Sequence, residues 1–221
     1  MDNSSELARF NMIQQQVRPW GVLDDRVLEV MGAIEREHFV PNAYRALAYA
    51  DIEIPNSNGT LMLAPKVVGH LLQALSVQPG DRALEIGTGS GYVAACLSRL
   101  GARVISLEID PAQAAEASER LEALKFDWVE VREGDGLAGP VSGAPFDAIA
   151  VKGSMPTEVA LPMLRDQLAI GGRLFCILGT APAMECVRVT RVGRNDYRRE
   201  SLFEIEVAPL RNAPEPADFE F

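Results

Sequence analysis

Apolar and polar positions change their rhythm near residue 80. Beyond that point, short apolar runs alternate with stretches whose apolar residues recur every three to four positions. The runs predict strands at 83–86, 103–107, 128–133, 148–151 and 173–177. The longer stretches predict helices at 91–100, 111–125 and 157–168, the first carrying Val93, Ala94, Leu97 and Leu100 on one face. Strand, helix, strand in regular order argues an α/β fold with a doubly wound, mostly parallel sheet and right-handed crossovers. The stretches 185–192 and 201–210 alternate around Gly193-Arg194-Asn195-Asp196, which predicts a C-terminal antiparallel hairpin and brings the sheet to seven strands.

The first 78 residues follow a different pattern and read as a helical extension packed on the core. Ser4 or Ser5 caps a helix to about Val17, with Leu7, Phe10, Met12 and Ile13 as its apolar stripe and Pro19 as its stop. Asp24 or Asp25 caps a second helix to about Ile34. A short helix is expected at 42–48, an irregular stretch at 51–63, and a helix at 66–75 with Pro65 in its first turn. The core domain then runs from 79 to 211. Residues 212–221, with two prolines and scattered acids, read as a loose tail.

The net charge of −10 repels phosphate backbones and anionic lipid, so neither nucleic acid nor a membrane surface is expected as a partner. No run approaches ~18 uninterrupted apolar residues, and the N-terminus has no basic region followed by an apolar one. Cys96, Cys176 and Cys186 are widely spaced and lack metal-ligand spacing. They read as reduced, buried thiols of a cytoplasmic protein.

The candidate chemistry lies in Leu84-Glu85-Ile86-Gly87-Thr88-Gly89-Ser90-Gly91. Gly87, Gly89 and Gly91 sit between a strand and a helix, where a backbone without Cβ atoms can turn tightly and approach a ligand. The helix start adds free N–H groups and a positive dipole end. Glu108, at the end of the next strand, suits a ribose diol as a double acceptor. Asp135-Gly136 and Lys152 also fall at strand ends, where ligands of such sheets bind. Asp135 reads either as a ligand contact or as a turn acid. Lys152 reads either as a cation facing an acidic ligand or as a solvated strand-end lysine, and the second is the plainer choice.

Glu-x-Gly-x-Gly-x-Gly from Glu85 to Gly91 resembles the first motif of class I S-adenosylmethionine methyltransferases, with Rossmann-like sheets. The likeness widens along the chain. Gln14-Gln15-Gln16-Val17-Arg18, Arg36-Glu37-His38-Phe39-Val40-Pro41, Gly134-Asp135-Gly136, Phe146-Asp147-Ala148-Ile149 and Gly171-Gly172-Arg173-Leu174 resemble segments of the protein-L-isoaspartate O-methyltransferases. That resemblance implies S-adenosylmethionine as donor, S-adenosylhomocysteine as product, and an isoaspartyl-containing protein or peptide as acceptor. It implies Gly87, Gly89 and Gly91 around the methionine part, Glu85 near its ammonium, Glu108 on the ribose, and Asp135 with Gly136 by the adenine. One span departs from the pattern. The family carries Gly-Gln-Thr-Ile-Ser-Gln-Pro where this chain has Gly59-Thr60-Leu61-Met62-Leu63-Ala64-Pro65. Leu61 and Leu63 replace the two hydroxyl residues, and Thr60 is left as the one candidate catalytic hydroxyl.

A carboxylate acceptor is already ionised at pH 7 and needs no general base, which fits the absence of an obvious catalytic histidine. His38 and His70 read as structural. The donor half of the site thus reads as intact and the acceptor half as rewritten. Three readings stay open: methylation of isoaspartyl carboxylates, methylation of a different small acceptor in a pocket lined by Leu61, Met62 and Leu63, and a silent S-adenosylmethionine-binding protein.

Overall fold

The computed structural model describes residues 3–216. Helix α1 (Asn3–Asn11) widens into a π-helical turn, Met12–Val17, and closes in the 3-10 turn Arg18–Trp20. The wider turn brings Met12, Ile13 and Val17 into the core, where the sequence pattern predicted one regular helix. Helix α2 (Asp25–Ala33) starts where predicted, with the Asp24 side chain accepting from the Arg26 N–H. Two 3-10 turns, Arg36–His38 and Asn42–Leu47, lead to a feature the pattern missed. The stretch expected to be irregular holds a small hairpin of β1 (Ile54–Pro55) and β2 (Leu61–Met62). Its strands are two residues each, too short to show a period. Gly59, at φ +82, closes its loop. Helix α3 (Pro65–Leu75) follows and buries Val67, Val68, Leu71, Leu72 and Leu75.

The core continues as β3 (Arg82–Ile86), α4 (Tyr92–Arg99), β4 (Arg103–Glu108), α5 (Pro111–Ala123), β5 (Val129–Glu133), β6 (Phe146–Met155), α6 (Leu161–Asp166), β7 (Leu168–Thr180), β8 (Ala183–Arg191) and β9 (Tyr197–Glu204). The seven long strands form one sheet in the order β5-β4-β3-β6-β7-β8-β9. The first five are parallel to their neighbours; β8 and β9 return antiparallel. This is the doubly wound, mostly parallel α/β sheet with a terminal hairpin that the pattern predicts. The central strands are buried on both faces, so their side chains divide between two apolar layers. Ala83, Ala148, Ala150 and Ile177 join α3, α4 and the N-terminal extension. Leu84, Ile149, Val151 and Cys176 join α6 on the other face.

Two predicted boundaries move. The helix expected at 157–168 is confined to α6, with proline in its first turn, and Leu168 already belongs to β7. The second hairpin strand, expected at 201–210, is β9 and ends at Glu204. Residues 205–210 lie outside β9, and their partner changes. Ser154 N–H donates to the Ala208 carbonyl at 3.0 Å, and Leu210 N–H to the Ser154 carbonyl at 2.9 Å. The chain thereby crosses the carboxyl end of β6. Beyond it, Asn212 donates to Asp135 at 3.1 Å and the Thr157 hydroxyl to the Pro214 carbonyl at 3.1 Å, so the segment expected to be loose is tied down at both points. The rest of that tail, 217–221, lies outside the described residues.

Candidate functional site

The winding of the sheet reverses between β3 and β6, so the loops after these strands part and leave a crevice at their carboxyl ends. A cavity of about 330 Å³ occupies this place. Its donor-side wall is the glycine turn. Gly87, Gly89 and Gly91 have φ of +86°, +54° and +84°, a left-handed path that L side chains resist. The turn is held from outside: the Gln113 amide donates to the Gly89 carbonyl at 2.8 Å and Arg120 to the Ser90 carbonyl at 2.9 Å.

Glu108, at the end of β4, reaches into the same corner. One carboxylate oxygen accepts from the Gly89 N–H at 2.8 Å and the other from the Asp110 N–H at 3.2 Å. A carboxylate offers about four lone-pair directions. Two therefore remain for a ligand, and Glu108 lines the cavity. Asp135 lines it too, with one oxygen on the Leu137 N–H at 2.8 Å and the other accepting from Asn212 at 3.1 Å. A Cβ on Gly136 would lie 2.7 Å from Ile86, so this position has no room for a side chain. Gly87, Gly89, Glu108, Asp135 and Gly136 thus surround one cavity, and Gly91 caps α4 immediately behind.

Glu85 does not line the cavity. It is fully buried beneath the glycine turn. Its Oε1 lies 2.8 Å from Lys152 Nζ, and its Oε2 accepts from the Ser106 hydroxyl at 2.5 Å. Burial raises the Glu85 carboxyl above its usual range, against the lowering effects of Lys152 and Ser106. Lys152 is consequently no solvated strand-end lysine. Its side chain is 14% exposed, it donates to the Thr88 carbonyl at 2.8 Å, and it lines the cavity.

The opposite wall is the β1–β2 hairpin. Asn56, Gly59, Thr60, Leu61, Met62 and Leu63 line the cavity from it. The Thr60 hydroxyl donates to Asn58 Oδ1 at 2.6 Å and accepts from Asn56 Nδ2 at 3.0 Å, so its hydrogen bonds close the turn. Leu63 is buried and its carbonyl accepts from Arg36 at 2.8 Å. The hairpin loop bridges to α5, where Ser57 donates to Glu116 at 2.6 Å and Gln113 at 3.1 Å. Residues 207–211 roof the cavity, with Leu210 over Gly87 and Gly153. Sequence reasoning missed this roof and Asn56; no motif marks either.

Neither histidine lines the cavity. His38 contacts Glu35 at 3.4 Å, and His70 packs on Phe203. Glu35, Glu37 and His38 converge within 4.8 Å of one another, away from this site, with Arg9 already 3.7 Å from Glu35. The three cysteines are free and buried, and burial pushes their thiols up to about 12. No helix among the described residues is long and apolar enough to cross a membrane.

Comparison with known proteins finds relatives along nearly the whole chain. A family model described as protein-L-isoaspartate(D-aspartate) O-methyltransferase matches residues 8–211. A protein-L-isoaspartate O-methyltransferase 2 of Pelobacter propionicus is 42% identical over 211 residues, 95% of this chain and 93% of its own. A protein-L-isoaspartate O-methyltransferase 1 of Rhodopseudomonas palustris is 41% identical over 217 residues, 94% of this chain and 87% of its own. Among solved structures, a chain described as the corresponding enzyme of Plasmodium falciparum, in complex with S-adenosyl-L-homocysteine, superimposes with a TM-score of 0.78. It covers 94% of this chain and 98% of that one at 22% identity, a likeness of fold.

Proposed function

The chain belongs to the protein-L-isoaspartate O-methyltransferase family, and we propose from that premise that it moves a methyl group from S-adenosylmethionine to the carboxylate of isoaspartyl residues in proteins or peptides. The carrying observation is the cavity at the sheet's reversal point, with the glycine turn, Glu108 and Asp135 on one wall and the hairpin on the other. The residues present fit the donor. The left-handed glycine turn gives close backbone approach for the methionine part, Glu108 has lone pairs left for the ribose diol, and Asp135 with Gly136 lines the cavity where the adenine would lie. The donor supplies an electrophilic methyl on a sulfonium.

This chain supplies position and dryness. Glu108 and the glycine turn fix the donor's orientation. Met62 and Leu63, both buried, exclude water from the line of transfer, with Leu61 at the cavity's open edge. The acceptor carboxylate enters ionised, so no side chain removes a proton. Glu85 takes a supporting role behind the glycine turn, and the Thr60 hydroxyl a role within the hairpin loop. Buried free thiols suit a reducing compartment, the cytoplasm. The charge of −10 supports a protein or small acceptor over nucleic acid.

The test is incubation with labelled S-adenosylmethionine, an isoaspartyl peptide and its normal aspartyl twin. A base-labile methyl ester on the first alone is expected. Binding of S-adenosylhomocysteine without ester on either peptide would sink the reading. The apolar wall of Leu61, Met62 and Leu63 favours one second reading, a small apolar acceptor, which a metabolite panel with the same label would reveal.

A further inference from the structure

A carboxylate entering this cavity meets a problem of charge. The hairpin wall is apolar, and the Thr60 hydroxyl is already engaged by Asn56 and Asn58. Three acids, Glu53, Glu108 and Asp135, line the cavity. Burying a carboxylate there without a donor is costly. Two cations line the same cavity. Arg211 is half exposed and faces Asp110 at 3.6 Å, at the rim. The other is Lys152.

Lys152 stands on β6 just past the register pair Ile86–Val151, on the face shared with Ala150 and Glu85. That face lies under the hairpin. Its ammonium is fixed by the Thr88 carbonyl at 2.8 Å and by the Glu85 charge at 2.8 Å. The contact with Glu85 Oε1 is an ion pair whose angles fall outside hydrogen-bond geometry. An ammonium carries three N–H donors. Donor capacity is therefore left, at a group whose side chain is 14% exposed and borders the cavity. Glu85 is itself oriented by Ser106, whose hydroxyl is 2.6 Å from that of Thr88. The lysine is thus held by a buried polar chain drawn from β3, β4 and the glycine turn.

We propose that Lys152 is the receptor for the acceptor's carboxylate, presenting a preoriented ammonium where the hairpin offers no hydroxyl. This rests on the isoaspartyl reading above and names the group that would confer it. Glu85 acts through Lys152 as a positioning residue.

The experiment measures binding of two peptides to the protein saturated with S-adenosylhomocysteine, one isoaspartyl and one with that carboxylate replaced by carboxamide. The wild type is expected to prefer the carboxylate by tenfold or more. Lys152→Met with Glu85→Gln, which leaves no unpaired buried charge, should collapse the preference toward unity while S-adenosylhomocysteine affinity changes by a much smaller factor. Its KM for the isoaspartyl peptide in methyl transfer should rise by the same factor, and Lys152→Arg should restore part of both. Undiminished carboxylate preference in the double variant overturns the proposal. So does loss of S-adenosylhomocysteine binding in step with the peptide, which would assign the lysine to the donor's carboxylate. A wild type that methylates no isoaspartyl peptide refutes the functional reading and this proposal with it. A wild type that methylates while the variants keep its KM refutes the lysine's role alone.

Discussion

Glu108→Ala tests the donor half of the site most directly. The wild-type carboxylate is 7% exposed and spends one oxygen on the Gly89 N–H and one on the Asp110 N–H, at 2.8 and 3.2 Å. Its two remaining lone-pair directions match the two hydroxyls of a ribose. Hydrogen bonds to a charged group contribute about 1.5–3 kcal/mol each. Two at the lower figure sum to about 3 kcal/mol, or roughly a hundredfold in affinity. The freed N–H groups of Gly89 and Asp110 face a cavity that water can enter, so the fold should lose less than the ligand does. Calorimetric titration with S-adenosylhomocysteine should show the hundredfold loss, while the thermal midpoint of the unliganded protein moves by only a few degrees. A 2′-deoxy analogue of the ligand separates the ribose from other causes. It should bind the wild type more weakly and lose less than the parent ligand when Glu108 is replaced. Equal losses for the two ligands, or an affinity within threefold of wild type, would refute the assignment.

Other substitutions probe the walls. Arg36 is fully buried, makes no ion pair among the described residues, and donates to the carbonyls of Ala48 and Leu63 at 2.9 and 2.8 Å. Arg36→Met should lower stability by about 3 kcal/mol, two charge-assisted bonds at the modest end, and raise the KM for acceptor more than that for donor as Leu63 is released; urea unfolding and steady-state kinetics check both. Gly136→Ala drives a Cβ to 2.7 Å from Ile86 and should cost about 1–3 kcal/mol, a cost that should shrink in an Ile86→Ala background, where the contacting carbons are gone; denaturant midpoints of the single and double variants decide. Burial beside Phe203 holds the His70 imidazole below its ordinary 6.5. The unfolded chain then binds the proton first, so this contribution is complete above pH 6.5 and fades as pH falls toward the lowered native value. The slope of stability against pH below 6.5 should flatten in His70→Gln, and an unchanged slope would clear His70 of the effect.

Much of the fold was legible because parallel strands buried on both faces must be apolar runs. Ala148–Val151 leaves little else to be. Helix starts were legible where a side chain caps them, as Asp24 and Asp110 do. The failures share a cause. The β1–β2 hairpin is held by a loop rather than by strand length, with Asn56 N–H to Thr60 carbonyl at 2.7 Å. The segment 205–210 leaves β8 after the Ile205 N–H bond to the Met184 carbonyl and pairs instead with Ser154 of β6. Period reports that a chain is extended and is silent about its partner.

The same silence explains the site. Glycines and strand-end acids were legible because their chemistry is local: a positive φ, or a carboxylate beside a turn. Glu85, Ser106 and Lys152 were not, because their meaning lies in register. Glu85 pairs with Ser106 across β3 and β4, and Lys152 follows the β3–β6 pairing by one residue. Slide either pairing by one and the three side chains face opposite layers. Seen singly, Lys152 is a hydrophilic residue at a strand end, and solvent is its natural partner. Only when β3 lies between β4 and β6, with the hairpin above, does it become a nearly buried cation with a fixed counterion and an open side toward the cavity. The sequence offers Lys152 as one of two readings, a cation toward a ligand or a solvated lysine, and only the pairing of three strands decides between them. Deciding from sequence would require the register first, and the register is the part of the fold that apolar pattern constrains least where a polar side chain replaces an apolar one on the same face.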